Sequence, residues 1–232
     1  MPASDACRQS SHTVLSGSSD ATRLVMTARE AVVTLESGAT AALRRGANDL
    51  GVVCLHPWGP LGGSRDDPHV LTAANFFAGR GCHTCRVDFR GGVGRGHGSV
   101  ADAVAAASAL RDGGAQRIVV VGYSYGSLIA IRAAAKLPDC VGWVAVNPPL
   151  SYAWFLYSFC ADHAAAARAS TVPKMLLHAT EDVFCSNSTF ESFVETVPEP
   201  RTIVRVEGAS HFDVRRPLAA ALAEWAGAIL DK

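Results

Sequence analysis

From residue 50 onward the sequence sets short, unbroken apolar runs against longer stretches of helical character. This alternation restricts the fold more than any other feature. The runs are Leu50–Leu55, Thr84–Phe89, Arg117–Val121, Val141–Val146, Lys174–His178 and Thr202–Val206. A run without polar alternation fits a strand covered on both faces, as in a parallel sheet. The spacing predicts helices over Asp67–Gly79, Val100–Asp112, Ser124–Leu137, Asn187–Thr196 and Pro217–Leu230. Pro217 and Gly113-Gly114 act as start and stop signals. Strands and helices in this order imply right-handed crossovers within one sheet. Before residue 50 the pattern changes to a period of two, in Arg23–Thr27, Ala31–Glu36 and Thr40–Arg44, with Ser37-Gly38 as a turn. That reads as an antiparallel meander. The expected fold is therefore α/β, a doubly wound, mostly parallel sheet with an antiparallel N-terminal meander. In such sheets function gathers at the carboxyl ends of the strands.

At 232 residues, 49% hydrophobic and 18% charged, the chain has material for one large core. Residues 1–20, rich in Ser and Ala, are expected to form a disordered tail, and residues 21–232 a single domain. The tail lacks the apolar stretch of a secretory signal, while a weak organelle-targeting role stays open. No apolar run reaches the length of a spanning helix. Basic and acidic residues both total 21, so the protein's field gives no reason to expect nucleic acid or an anionic membrane as partner. The seven cysteines are an odd number, which argues against a disulfide framework and fits a cytoplasmic location. Cys82-His83-Thr84-Cys85 has no second Cys/His pair at finger-like spacing. Its cysteines read as small buried hydrophobes rather than a metal or redox site.

Chemistry concentrates in Gly122-Tyr123-Ser124-Tyr125-Gly126, placed between an apolar strand and an Ala-rich helix. A serine hydroxyl is a weak nucleophile and must be exposed beside a base. A sharp strand-to-helix turn presents it so, and glycines on both sides let strand and helix approach without Cβ clashes. Two other strand ends carry suitable partners. Lys174–His178 is followed by Ala179-Thr180-Glu181-Asp182, and Thr202–Val206 by Glu207-Gly208-Ala209-Ser210-His211.

The elbow resembles that of the α/β hydrolases, in which the nucleophile is followed by Asp or Glu and then His. The likeness extends over residues 23–230. It implies Ser124 as nucleophile, His211 as general base and Asp182 as the acid that orients the histidine. Glu181 adjoins Asp182, but the family turn His-Gly-x-x-Asp matches His178-Ala179-Thr180-Glu181-Asp182 with Ala in place of Gly. His56-Pro57-Trp58-Gly59 resembles the family's oxyanion loop. Because Pro57 has no N–H, the backbone donors are expected to be Trp58 and Tyr125. Asp88-Phe89-Arg90-Gly91 and the glycines after it resemble a family loop bordering the site. They lack the pattern of a phosphate cradle. Asn147-Pro148-Pro149 also resembles a turn of small, uncapped bacterial members.

The resemblance implies hydrolysis of an ester, thioester or activated amide on a small acyl substrate, with no metal or organic cofactor. Two other readings stand beside it: a non-catalytic interaction module on the same fold, and a triad acyltransferase or perhydrolase. Between Val146 and Lys174 the chain is too short for a cap domain and is rich in rings. Trp154 and Phe155 are expected either to pack into the core or to line a shallow apolar acyl pocket. Sequence does not give the oligomeric state.

Overall fold

A computed structural model describes residues 30–91, 96–153 and 162–230. The N-terminal tail, the Arg23–Thr27 strand, Trp154 and Phe155 lie outside the described residues. Among the described residues eight strands form one sheet: β1 (Ala31–Thr34), β2 (Thr40–Arg44), β3 (Leu50–Leu55), β4 (His83–Asp88), β5 (Arg117–Tyr123), β6 (Cys140–Val146), β7 (Lys174–Ala179) and β8 (Arg201–Val206). Their order is β1-β2-β4-β3-β5-β6-β7-β8. β1 pairs with β2, and β2 with β4, in antiparallel register, and all other pairs are parallel. The chain leaves β3 for β4 on one side and then returns to β5 on the other. The carboxyl ends of β3 and β5 therefore flank the switch point, where open α/β sheets form ligand crevices.

The described helices are α1 (Pro68–Ala78), α2 (His97–Asp112), α3 (Tyr125–Ala134), α4 (Asp162–Ala169), α5 (Asn187–Glu195) and α6 (Arg215–Leu230). Alternate strand residues feed two separate cores. Val53, Leu55, Ile118 and Val120 join α2 and α3 on one face. Val52, Cys54, Val119 and Val121 join α1 and α6 on the other. This two-sided burial is what the unbroken apolar runs predict. Cys82 and Cys85 fall into opposite cores, and burial pushes the Cys85 thiol up to about 12. Among the described residues no group of His, Cys, Asp and Glu is placed to hold a metal ion, and no helix is long and apolar enough to cross a membrane.

The structure departs from the sequence reading at β8. Thr202–Val206 reads as a strand covered on both faces, yet Thr202 and Arg205 are exposed and no residue of β8 is fully buried. Among the described residues β8 is the edge strand, paired only with β7. An exposed Arg205–Glu191 pair blunts that edge. α2 begins three residues earlier than expected, at His97, because Gly96 takes a left-handed conformation as its N-cap. α6 likewise opens at Arg215, which puts Pro217 in its first turn, where a missing N–H costs nothing.

Candidate active site

β5 carries the chain straight into α3 through Ser124, whose φ is +53° and ψ is −122°. A left-handed φ on a non-glycine residue costs about 1–3 kcal/mol and persists only where the surroundings impose it. Here the Ser124 N–H donates to Val146 O at 2.8 Å, and the buried Ser127 hydroxyl donates to Ser124 O at 2.5 Å. The flanking glycines make the turn sterically possible. A Cβ on Gly122 would fall 2.0 Å from Gly126 O, and one on Gly126 would fall 2.4 Å from Leu55 O.

The turn aims the Ser124 hydroxyl at His211, with Oγ 3.0 Å from Nε2. Nδ1 of the same ring lies 2.7 Å from Asp182 Oδ2. The imidazole is nearly sealed from solvent, and the Asp182 side chain is fully buried. Asp182 Oδ1 accepts the Phe184 N–H at 2.7 Å, so both carboxylate oxygens are engaged. Glu181, by contrast, has an exposed side chain, and its backbone N–H donates to Ala209 O. Asp182 is the carboxylate at hydrogen-bond distance from His211. The two loops are laced together: Thr180 N–H donates to Val206 O, and Gly208 N–H donates to the Thr180 hydroxyl.

Three residues without an assigned role in the sequence reading support this arrangement. Asn147, fully buried and left-handed at φ +45°, donates from Nδ2 to His211 O at 2.7 Å and accepts from Ala179 N–H at 2.9 Å. One amide thus ties the strand leading to Asp182 to the loop bearing His211. The Tyr123 hydroxyl donates to the same His211 carbonyl, and burial raises its phenol above the usual range. His69, at the start of α1, stacks on Tyr123 with ring centroids 4.0 Å apart and holds Phe212 O through Nε2. The Asn-Pro-Pro turn was visible in the sequence, though without a partner for its amide. Nothing in the local pattern marks His69.

The residues of the expected oxyanion loop divide by task. Both ring nitrogens of His56 are engaged by loop backbone. Its Nδ1 lies 2.5 Å from Pro57 O, and its Nε2 accepts the Phe89 N–H at 3.0 Å. That pattern requires a neutral ring, and burial holds its pKa below the ordinary imidazole value. His56 therefore joins the loops after β3 and β4. Trp58, half-buried, and Tyr125, the first residue of α3, both line the cleft that opens over Ser124. Arg90, in the loop after β4, is held by the buried Asp102 of α2 at 2.7 Å.

The cleft measures about 1010 Å³ and lies between the β3 loop, the start of α1, the elbow and the start of α6. Its walls include Leu61, Tyr152, Phe184 and Phe212. Leu61 and Phe212 are 72% and 65% exposed, and both border this opening.

No family model matches the chain. An uncharacterized protein of Rickettsia prowazekii is 25% identical over 172 residues, covering 68% of this chain and 69% of its own. Among solved structures, an α/β serine hydrolase without lid from Xanthomonas campestris superposes with a TM-score of 0.69 at 21% identity. That match covers 87% of this chain and 96% of the other. An esterase of Pyrococcus furiosus gives 0.71 at 19% identity, over 87% and 91%. With its strand order, its elbow at the switch point and these likenesses, the chain has the fold of the α/β-hydrolase superfamily.

Proposed function

We infer that this chain is a serine hydrolase that cleaves an ester, thioester or activated amide through an acyl-enzyme. The observation that carries this reading is the hydrogen-bonded series Ser124–His211–Asp182, with spacings of 3.0 and 2.7 Å at three separate strand ends. Ser124 Oγ attacks the substrate carbonyl as its proton passes to His211 Nε2, and Asp182 holds Nδ1–H and stabilises the imidazolium. The tetrahedral oxyanion is received by the backbone N–H groups of Tyr125 and Trp58. His211 then gives its proton to the leaving group, and water repeats the sequence in reverse to free the acid and Ser124. The apolar walls of the cleft suit the acyl part, and the Pyrococcus furiosus neighbour is itself an esterase.

The test is labelling by a fluorophosphonate together with turnover of p-nitrophenyl esters. The unmodified protein should label once, at Ser124, and Ser124→Ala should lose labelling and about 10⁴-fold or more of the turnover. Labelling that survived the substitution would place the nucleophile elsewhere. A protein that neither labels nor turns over would be an interaction module. Product analysis with competing alcohols or peroxide separates water from another acyl acceptor.

A further inference from the structure

Arg215 and Arg216 open α6 shortly after His211, and both line the cleft over Ser124. Both are exposed, and among the described residues neither guanidinium is engaged in an ion pair or hydrogen bond. The two aspartates that line the cleft hydrogen-bond to groups other than these arginines. Asp67 Oδ1 accepts the His69 backbone N–H at 2.8 Å and faces His69 Nδ1 at 3.1 Å. Asp213 Oδ2 accepts the Ser210 hydroxyl at 2.5 Å. Two adjacent cations in the first turn of a helix oppose its dipole, so helix stability does not account for them. Uncommitted guanidinium forks in a ligand cleft match the geometry of a carboxylate, sulfonate or phosphate.

The direction of proton transfer sets where the leaving group of a substrate would lie. With the carbonyl oxygen turned toward Tyr125 and Trp58, the leaving group must face His211 Nε2 to receive its proton. Arg215 and Arg216 follow His211 by four and five residues and line the same cleft, which ties them in this proposal to the side where the leaving group takes its proton. We propose that the natural substrate is an acyl ester or thioester whose leaving group is anionic, bound by Arg215 and Arg216. The proposal rests on the hydrolase reading above. In the reaction the acyl carbon exchanges its bond to the leaving-group oxygen or sulfur for one to Ser124 Oγ, and the anionic alcohol or thiol departs with the His211 proton.

The experiment uses two phenyl butyrates matched in electron withdrawal, one with a para-sulfonate and the other with a para-sulfonamide. The unmodified protein should favour the sulfonate by about 10-fold in kcat/KM, the scale of charge-assisted pairing in a partly solvated site. The preference should shrink as salt is added. The double variant Arg215→Gln/Arg216→Gln should bring the ratio of the two substrates close to one, and Arg215→Lys/Arg216→Lys should retain most of it. Fluorophosphonate labelling of Ser124 in each variant reports that the fold and nucleophile are intact. Equal turnover of the two esters by the unmodified protein would overturn the proposal while leaving the hydrolase reading standing. So would a preference that survives the double Gln substitution. Absence of both labelling and turnover would overturn the two together.

Discussion

Gly126→Ala isolates the geometry of the elbow from the chemistry of its serine. Gly126 lies in the first turn of α3, where alanine is intrinsically favoured over glycine by about 1 kcal/mol. Local propensity therefore predicts stabilisation. Packing predicts the opposite, since the new Cβ would sit 2.4 Å from Leu55 O and 2.6 Å from His56 O. Ordinary contact begins near 3.4 Å, so the backbones must separate by about 1 Å. Neither contact is the tip of a flexible side chain. The atoms belong to Leu55 at the end of β3 and to His56 just after it, in the segment that leads to Trp58, so the strain is released by moving the proposed oxyanion loop away from Ser124. A misplacement of about 1 Å in a catalytic constellation costs roughly 10²-fold in rate. Overpacking of this kind costs about 1–3 kcal/mol of stability. Ester turnover and fluorophosphonate labelling rate of the purified variant measure the first loss, and thermal melting measures the second. A variant with unaltered kinetics and a raised Tm would refute the claim that β3 and α3 are pressed together at this glycine.

Other perturbations probe the groups around the elbow. Asp182→Asn should lower kcat by about 10⁴-fold by favouring the wrong imidazole tautomer, while Glu181→Gln should leave kcat nearly unchanged. A larger loss in the Glu181 variant would reassign the acid. Asn147→Asp keeps the shape of the side chain but turns a donor to His211 O into a second acceptor. It should lower kcat with little change in KM and move the pH profile of the reaction, whereas an effect on KM alone would count against a positioning role. His163 reports on stability rather than activity: burial, followed by the charge of Arg132, holds its pKa down to about 4. The unfolded chain then binds this proton first, so stability is intact above about pH 6.5 and falls by roughly 3 kcal/mol as pH drops toward 4. Urea unfolding at pH 7 and pH 4.5 should show that loss, and His163→Gln should remove most of it. An equal loss in the variant would assign the acid sensitivity to other groups.

The sequence by itself determined the features that arise from periodicity and from backbone sterics. Unbroken apolar runs specified strands buried on two faces, because each face needs its own alternate residues. The glycines around Ser124 specified a sharp turn, because only they lack a Cβ to clash. The chain order of Ser124, Asp182 and His211 was legible for the same reason, each residue ending a recognisable strand. Tertiary structure decided what depends on partners far away in the chain. Glu181 and Asp182 are neighbours of equal chemistry, and only the approach of His211 from the loop after β8 separates them, with one carboxylate buried against the imidazole and the other in solvent. The Asn147 amide finds its acceptor 64 residues away and the Tyr123 hydroxyl 88 residues away, at distances where no local pattern records the contact. The position of β8 at the sheet edge, and of Arg215 and Arg216 in the cleft wall, likewise follows from how the layers stack. Periodicity determines which face of an element is apolar, and packing alone determines what that face, or the polar group beside it, will meet.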